Sequence, residues 1–124
     1  MINKFKKHYD ESVNPLRKLI ACEDYKCLGF VASAVDKENY KRLFSRDAFW
    51  TGIGALCSGE EDLIAGYKQS LLTLVTFQRE DGAIPSNVSY EGKVSYGIIN
   101  TRVDSTTLFI LGALELLLNI SFNL

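Results

Sequence analysis

Ser45-Arg46-Asp47-Ala48-Phe49-Trp50 is the stretch on which the reading of this chain turns. An arginine and an aspartate stand at the head of a segment, residues 48–57, that carries no charged side chain. Ser45 is a favoured helix cap and Asp47 suits the positive end of a helix dipole, so a helix is predicted from Ser45 to about Cys57. A helix without charge along its length has to be covered on nearly all sides. Charged groups at its head need partners, because uncompensated removal from water costs several kcal/mol or more, and a polar ligand can supply the compensation.

The arrangement recurs in Thr101-Arg102-Val103-Asp104, followed by Leu108-Phe109-Ile110-Leu111. A helix is predicted to start at Asp104 or Ser105 and run through Leu118, with Glu115 its single charge, and it too reads as enclosed. Ser58-Gly59-Glu60-Glu61 has capping-box spacing and opens a further helix through Leu63, Ile64, Tyr67, Leu71, Leu74, Val75 and Phe77, with Lys68, Gln69 and Gln78 on its wet face. Upstream, Asn14-Pro15 reads as the start of an outer, amphipathic helix carrying Leu16, Leu19 and Ile20. Gly-marked and alternating runs predict a short β-hairpin or extended loop near 28–44. Arg79-Glu80-Asp81-Gly82 is a turn, with Asp81-Gly82 as its turn dipeptide. Residues 83–100 form a long irregular segment that Ile84, Pro85, Tyr90, Tyr96, Ile98 and Ile99 mark as ordered and functional.

The order is outer, inner, outer, inner. Such helical hairpins predict an all-α fold, a partial (α/α)6 toroid of about four helices, whose inner helices present their N-termini to one end. Arg46, Asp47, Arg102 and Asp104 then converge on one mouth. Four helices are too few to close a ring, and Asn119-Ile120-Ser121-Phe122-Asn123-Leu124 is not a polar closing segment. Residues 1–124 are therefore expected to be a single incomplete domain, its apolar face covered by missing C-terminal hairpins or by self-association.

Composition narrows the function classes. The chain has 124 residues, 47% hydrophobic and 23% charged, the balance of a globular domain rather than a disordered tail. With 14 basic and 15 acidic side chains its net charge is -1, so the electrostatic footprint of a nucleic-acid binder is missing. The cluster Lys4, Lys6 and Lys7 reads as a solvated helix face. Cys22, Cys27 and Cys57 are odd in number and irregular in spacing, and Met1-Ile2-Asn3-Lys4 leads into no signal region, so buried inert thiols in a reducing cytoplasm are expected. His8 has no nearby ligand set, and neither a metal nor a cofactor is expected. The apolar run 108–120 is too short to cross a bilayer and contains Glu115, so no membrane span is expected. Asn87-Val88-Ser89 and Asn119-Ile120-Ser121 match the glycosylation triplet, which has no meaning without secretion.

Four motifs in order resemble a known family: Asn39-Tyr40-Lys41-Arg42-Leu43-Phe44-Ser45-Arg46-Asp47-Ala48-Phe49-Trp50, Phe77-Gln78-Arg79-Glu80-Asp81-Gly82-Ala83-Ile84-Pro85-Ser86-Asn87, Lys93-Val94-Ser95-Tyr96-Gly97 and Arg102-Val103-Asp104-Ser105-Thr106. From about Leu28 onward the chain is similar to the first part of the catalytic domain of six-hairpin glycosidases, the glucoamylase-like and amylo-α-1,6-glucosidase (glycogen debranching) group. The resemblance implies carbohydrate metabolism and an α-glucoside or oligosaccharide as ligand. It implies that Arg46 and Asp47 hold hydroxyls of the terminal sugar and that Pro85, Ser86, Asn87, Arg102 and Asp104 line the same cleft. The family's general acid and base lie on later hairpins, so no catalytic residue is assigned and the chain alone is expected to be inactive.

The residues allow other readings beside this one. Glycoside hydrolysis needs two carboxyl groups, one of them protonated, but Asp47 and Asp104 each stand beside an arginine that lowers a carboxyl pKa. Sugar binding suits them better, since a carboxylate accepts from hydroxyls while a guanidinium donates in a fixed fork. A plain N-terminal ion pair explains Arg46 and Asp47 equally simply. Trp50 is a stacking candidate or a core residue, and Tyr96 and Tyr90 either stack on a sugar or fasten their loop. An alternative class for the whole chain is a small helical interaction protein without catalytic activity.

Overall fold

The computed structural model describes residues 1–24, 26–36 and 39–123, and these form four helices and two small sheets. Helix α1 (Ile2–Arg17) leads into strands β1 (Ile20–Glu23) and β2 (Lys26–Phe30), which pair antiparallel. Strand β3 (Leu43–Phe44) precedes α2 (Ser45–Ser58) and α3 (Glu61–Thr76). Strands β4 (Asn87–Val88) and β5 (Val94–Ser95) precede α4 (Val103–Phe122). The second sheet has the order β3-β4-β5, antiparallel throughout, with Leu43 opposite Val88 and Val88 opposite Val94.

Three of the predicted helices stand at their predicted places, and the N-terminal half needs correction. Asn14-Pro15 does not open a helix: α1 begins at Ile2, and Pro15 sits in its last turn. There the proline forfeits only the bond its missing N–H would have made one turn back. Amphipathic character is kept, for α1 buries only Val13 and is exposed from Ile2 to Ser12. The hairpin expected near 28–44 is displaced to residues 20–30, and Leu43-Phe44 pairs instead with Asn87-Val88. Beyond β2 the chain is drawn together by Ala32 N–H to Arg42 C=O (3.0 Å) and Ser33 N–H to Tyr40 C=O (2.9 Å).

Close approach explains why β2 lies where it does. Gly29 has φ +98°, and a Cβ there would come within 2.3 Å of Ser70 Oγ, so only glycine lets this strand run against α3. Ser70 Oγ then accepts the Phe30 N–H at 2.8 Å and donates to Gly66 C=O at 3.0 Å, while Thr73 Oγ1 donates to Leu28 C=O at 2.9 Å. Buried backbone groups of the strand are thus met by α3 hydroxyls.

Caps also differ from expectation. Ser45 does not cap α2: Phe44 holds the cap position in extended conformation, and the Ser45 hydroxyl and N–H both donate to Ser86 C=O (3.3 and 3.0 Å). The Ser58 capping box is not formed either. Ser58 Oγ accepts only the Glu60 N–H (3.1 Å), because Gly59 ends α2 in the left-handed region (φ 71°) and α3 starts at Glu61. Arg17 ties α1 to this junction through Glu60 (2.5 Å) and Asp62 (2.6 Å).

One apolar cluster joins Phe30, Ala55, Leu63, Tyr67, Leu71 and Leu116, and a second joins Leu28, Val31, Leu43, Leu74, Ile84 and Val88. Tyr67 is fully buried where α3 meets α2 and α4. Its ring fills the space a Cβ would need at Gly52, and its hydroxyl the space at Gly112. Helix α4 packs on α2 by one face only, through Ser105, Gly112 and Leu116. The expected enclosure of α4 is therefore not found in this chain: Ile110, Leu111, Leu114, Leu117, Leu118 and Phe122 are exposed. Nor is α2 covered on nearly all sides, since Trp50 is 65% exposed. At 20 residues and mean hydropathy 1.6, α4 is also long and apolar enough, by length and composition alone, to cross a membrane. The helix extends beyond the apolar run 108–120 at both ends, so the run alone understates its length.

Candidate functional site

The heads of α2 and α4 lie side by side, and both lack a side-chain cap. Open N–H groups and the dipoles of two first turns favour negative charge there, which Asp47 and Asp104 provide. Phe44 and Arg102 precede the helices in extended backbone (φ -96°, ψ 129° and φ -78°, ψ 109°), which turns the chain sharply into each helix. The loop before α4 is held by Arg102 N–H to Tyr96 C=O (2.8 Å) and Ile84 N–H to Thr106 Oγ1 (3.1 Å). Ser86, which receives both Ser45 donors, donates its N–H and hydroxyl to Ser95 C=O (2.7 and 2.8 Å).

These anchors leave a hollow of about 80 Å³ lined by Phe44, Arg46, Asp47, Ser86, Arg102, Asp104 and Ser105. Five of the nine residues expected to bind ligand come together here: Arg46, Asp47, Ser86, Arg102 and Asp104. The ion pair is made across the two motifs, from Arg46 to Asp104, rather than within either. The Arg46 guanidinium, hydrogen-bonded to Asp104, holds that carboxyl below the usual carboxylate range, and Arg102 adds a smaller pull. Asp104 is thus an ionised acceptor, the opposite of what a general acid requires. A hollow this small admits one hydroxyl-bearing edge of a ligand, against the roughly 300–1,000 Å³ of pockets that enclose a drug-sized molecule.

The other four expected residues lie elsewhere. Trp50 points to solvent, edge-on to Phe49 (centroids 5.0 Å apart, 72°), so it is neither core nor part of the hollow. Pro85 is buried, next in the chain to Ile84 of the second apolar cluster. Asn87 accepts from Arg42 Nε at 2.8 Å and donates to Ser86 Oγ at 3.3 Å, which makes it a support for the hollow and not part of its wall. Tyr96 donates its hydroxyl to Phe77 C=O (2.6 Å) under the Arg79 guanidinium, 5.0 Å from the ring centre. Tyr90 clasps the first hairpin: its hydroxyl accepts the Glu23 N–H (2.6 Å) and faces Glu23 C=O (2.8 Å) and Lys26 C=O (2.5 Å). Both tyrosines fasten their loop. Phe44 and Ser105 complete the wall, and adjacency to Ser45 and Asp104 was the only signal that could have found them.

A wider cleft of about 470 Å³, unforeseen from sequence, lies between the first hairpin and the β4–β5 turn, lined by Glu23, Lys41, Arg42, Ser89, Tyr90, Glu91 and Lys93. Its charges compensate one another: Lys41 pairs with Glu23 at 3.2 Å, and Glu91 is held below the usual range by the Ser89 hydroxyl, with Lys93 and Arg42 contributing. The cysteines also depart from expectation. Cys22 and Cys27 face each other across β1 and β2 and form a disulfide, while Cys57 is free and exposed, so none is a buried inert thiol. Among the described residues no group of three or more His, Cys, Asp or Glu could hold a metal ion.

No family model, curated protein or solved structure matches this chain.

Proposed function

We propose that the hollow between α2 and α4 binds vicinal hydroxyls of the terminal sugar of an α-glucoside or oligosaccharide, in a glycoside hydrolase-like unit of a partial α/α toroid that lacks its own acid and base. What supports this most is the meeting of Arg46 and Asp47 with Arg102 and Asp104 from motifs far apart in the chain. Two guanidinium forks that donate and two carboxylates that accept match the alternating donors and acceptors of a polyol. Their charges sum to zero, so a neutral guest is favoured over an ion. The order of the motifs resembles that of six-hairpin glycosidases, and in such a unit Arg46 and Asp47 grip the sugar while Ser86 closes the floor.

The test is an NMR titration of the whole chain with maltose and isomaltose. Amide shifts are expected at residues 46, 47, 102 and 104, with affinity falling about 10- to 100-fold in Arg46→Ala, the loss of one charged hydrogen bond. No glucose should be released. Glucose release that disappears in Asp47→Ala would place the catalytic carboxyl here and overturn the reading, as would an absence of shifts at saturating sugar. A second reading, a helical interaction protein, is favoured by one observation: the exposed apolar face of α4.

A further inference from the structure

We propose that α4 is a self-pairing helix through which two copies of this chain associate. The face turned away from the core carries Val103, Thr107, Ile110, Leu114, Leu117 and Ser121, at alternating spacings of four and three, which is the heptad seam of a helix that meets another helix. Leu111 and Leu118 flank that seam on one side and widen it to the three-in-seven face of a bundle helix. Ile110 is 60% exposed, Leu111 46%, Leu114 50%, Leu117 61% and Leu118 42%, so nothing in the described chain occupies this face.

The pattern itself names a second copy as occupant. The apolar stretch is symmetric about Leu114: in an antiparallel pair crossing there, Ile110 meets Leu118, Leu111 meets Leu117, and Thr107 meets Ser121. Self-complementarity of this kind is what a two-fold interface needs, since each residue must suit its mirror position. With its flanks, the face sets five large aliphatic side chains, each 42–61% exposed, in one contiguous strip, the makings of the apolar centre of a standard interface of roughly 800 Å² per partner. A lipid surface fits less well. Helices that lie on membranes carry Lys or Arg beside their apolar face, whereas residues 103–122 contain neither and bear Glu115 as an exposed charge. Insertion as a span would also strip Gly112 and Leu116 from the core they pack in. The inference stands on α4 alone and is independent of sugar binding at the helix heads.

Sedimentation velocity on the whole chain in detergent-free buffer decides it. A concentration-dependent dimer is expected, converted to monomer by Leu114→Glu with an unchanged circular dichroism spectrum, and retained by Phe5→Glu, a change at an exposed apolar residue of α1. Should Leu114→Glu fail to fold, disulfide cross-linking tests the same pairing. On a Cys57→Ser background, Leu114→Cys is expected to give an oxidised dimer and Val103→Cys none. A monomeric wild type, aggregates of no fixed mass, equal cross-linking at both positions, or partition into phosphatidylcholine vesicles without a dimer in solution would each overturn the proposal.

Discussion

At the scale of single residues, Tyr67 is the most demanding side chain. It is fully buried, its hydroxyl has no hydrogen-bond partner among the described residues, and burial, with Glu115 adding to it, pushes its pKa up to about 12. An unmet buried hydroxyl carries a desolvation cost that phenylalanine avoids, so Tyr67→Phe is expected to stabilise the fold by about 1 kcal/mol. Thermal melting should show the midpoint rising by roughly 4 °C, and a lower midpoint would mean that the hydroxyl has a partner. Asp104 gives a pH effect of definite sign. Its folded carboxyl is held below the ordinary 3.8, first by the hydrogen bond from Arg46, so the folded state binds fewer protons. Its contribution is complete above the unfolded value and is lost as pH falls through the folded one. The contribution is modest because both side chains are about half exposed. In a carboxyl NMR titration Asp104 should report a midpoint below 3.8 that rises in Arg46→Ala, and an unmoved midpoint would rule out the pairing. Sequence exposed these charges because they interrupt apolar helices. It did not expose the cross-pairing of Arg46 with Asp104, since nearest neighbours in the chain are Asp47 and Arg102. The tyrosines were undecidable for a different reason: a loop aromatic has the same composition whether it grips a guest or its own backbone.

Elements were legible where hydrophobic period and breakers agreed. Helices α2, α3 and α4 follow apolar runs delimited by Gly59, the Asp81-Gly82 turn and the polar 100–102 stretch, and their ends fall within a few residues of expectation. Helix α1 was missed because Asn14-Pro15 carries two strong start signals, whereas the polar segment before it is helical through long side chains and pairs such as Lys7 with Glu11 (3.7 Å), which leave little apolar trace. The first hairpin was misplaced for want of register. Cys22 and Cys27 become neighbours only when Ile20 is set against Phe30, and an irregularity between Ala21 and Cys22 adjusts that register by a step the sequence does not announce. The capping serines failed because both hydroxyls found nearer partners, Ser45 on Ser86 and Ser58 on Ala55.

For the whole molecule, enclosure was the property least legible in the sequence. An uncharged helix records what can be buried and not whether a neighbour is there to bury it, so α4 reads the same in sequence whether its outer face is covered or bare. The convergence of the helix heads, by contrast, was legible because alternation of hairpins fixes which ends share a side. What fixes the spacing of α2, α3 and α4 is the aromatic ring lodged between glycines 52 and 112, where added methyls would stand 2.1 Å from Tyr67 atoms. Either Gly→Ala change should therefore cost about 2–3 kcal/mol by overpacking, yet far less in a chain that already carries Tyr67→Leu. Urea denaturation of the single and paired variants measures that difference, and simple additivity would disprove it. Positions 52, 67 and 112 are in effect one unit of volume: a larger residue at either glycine calls for a smaller one at 67.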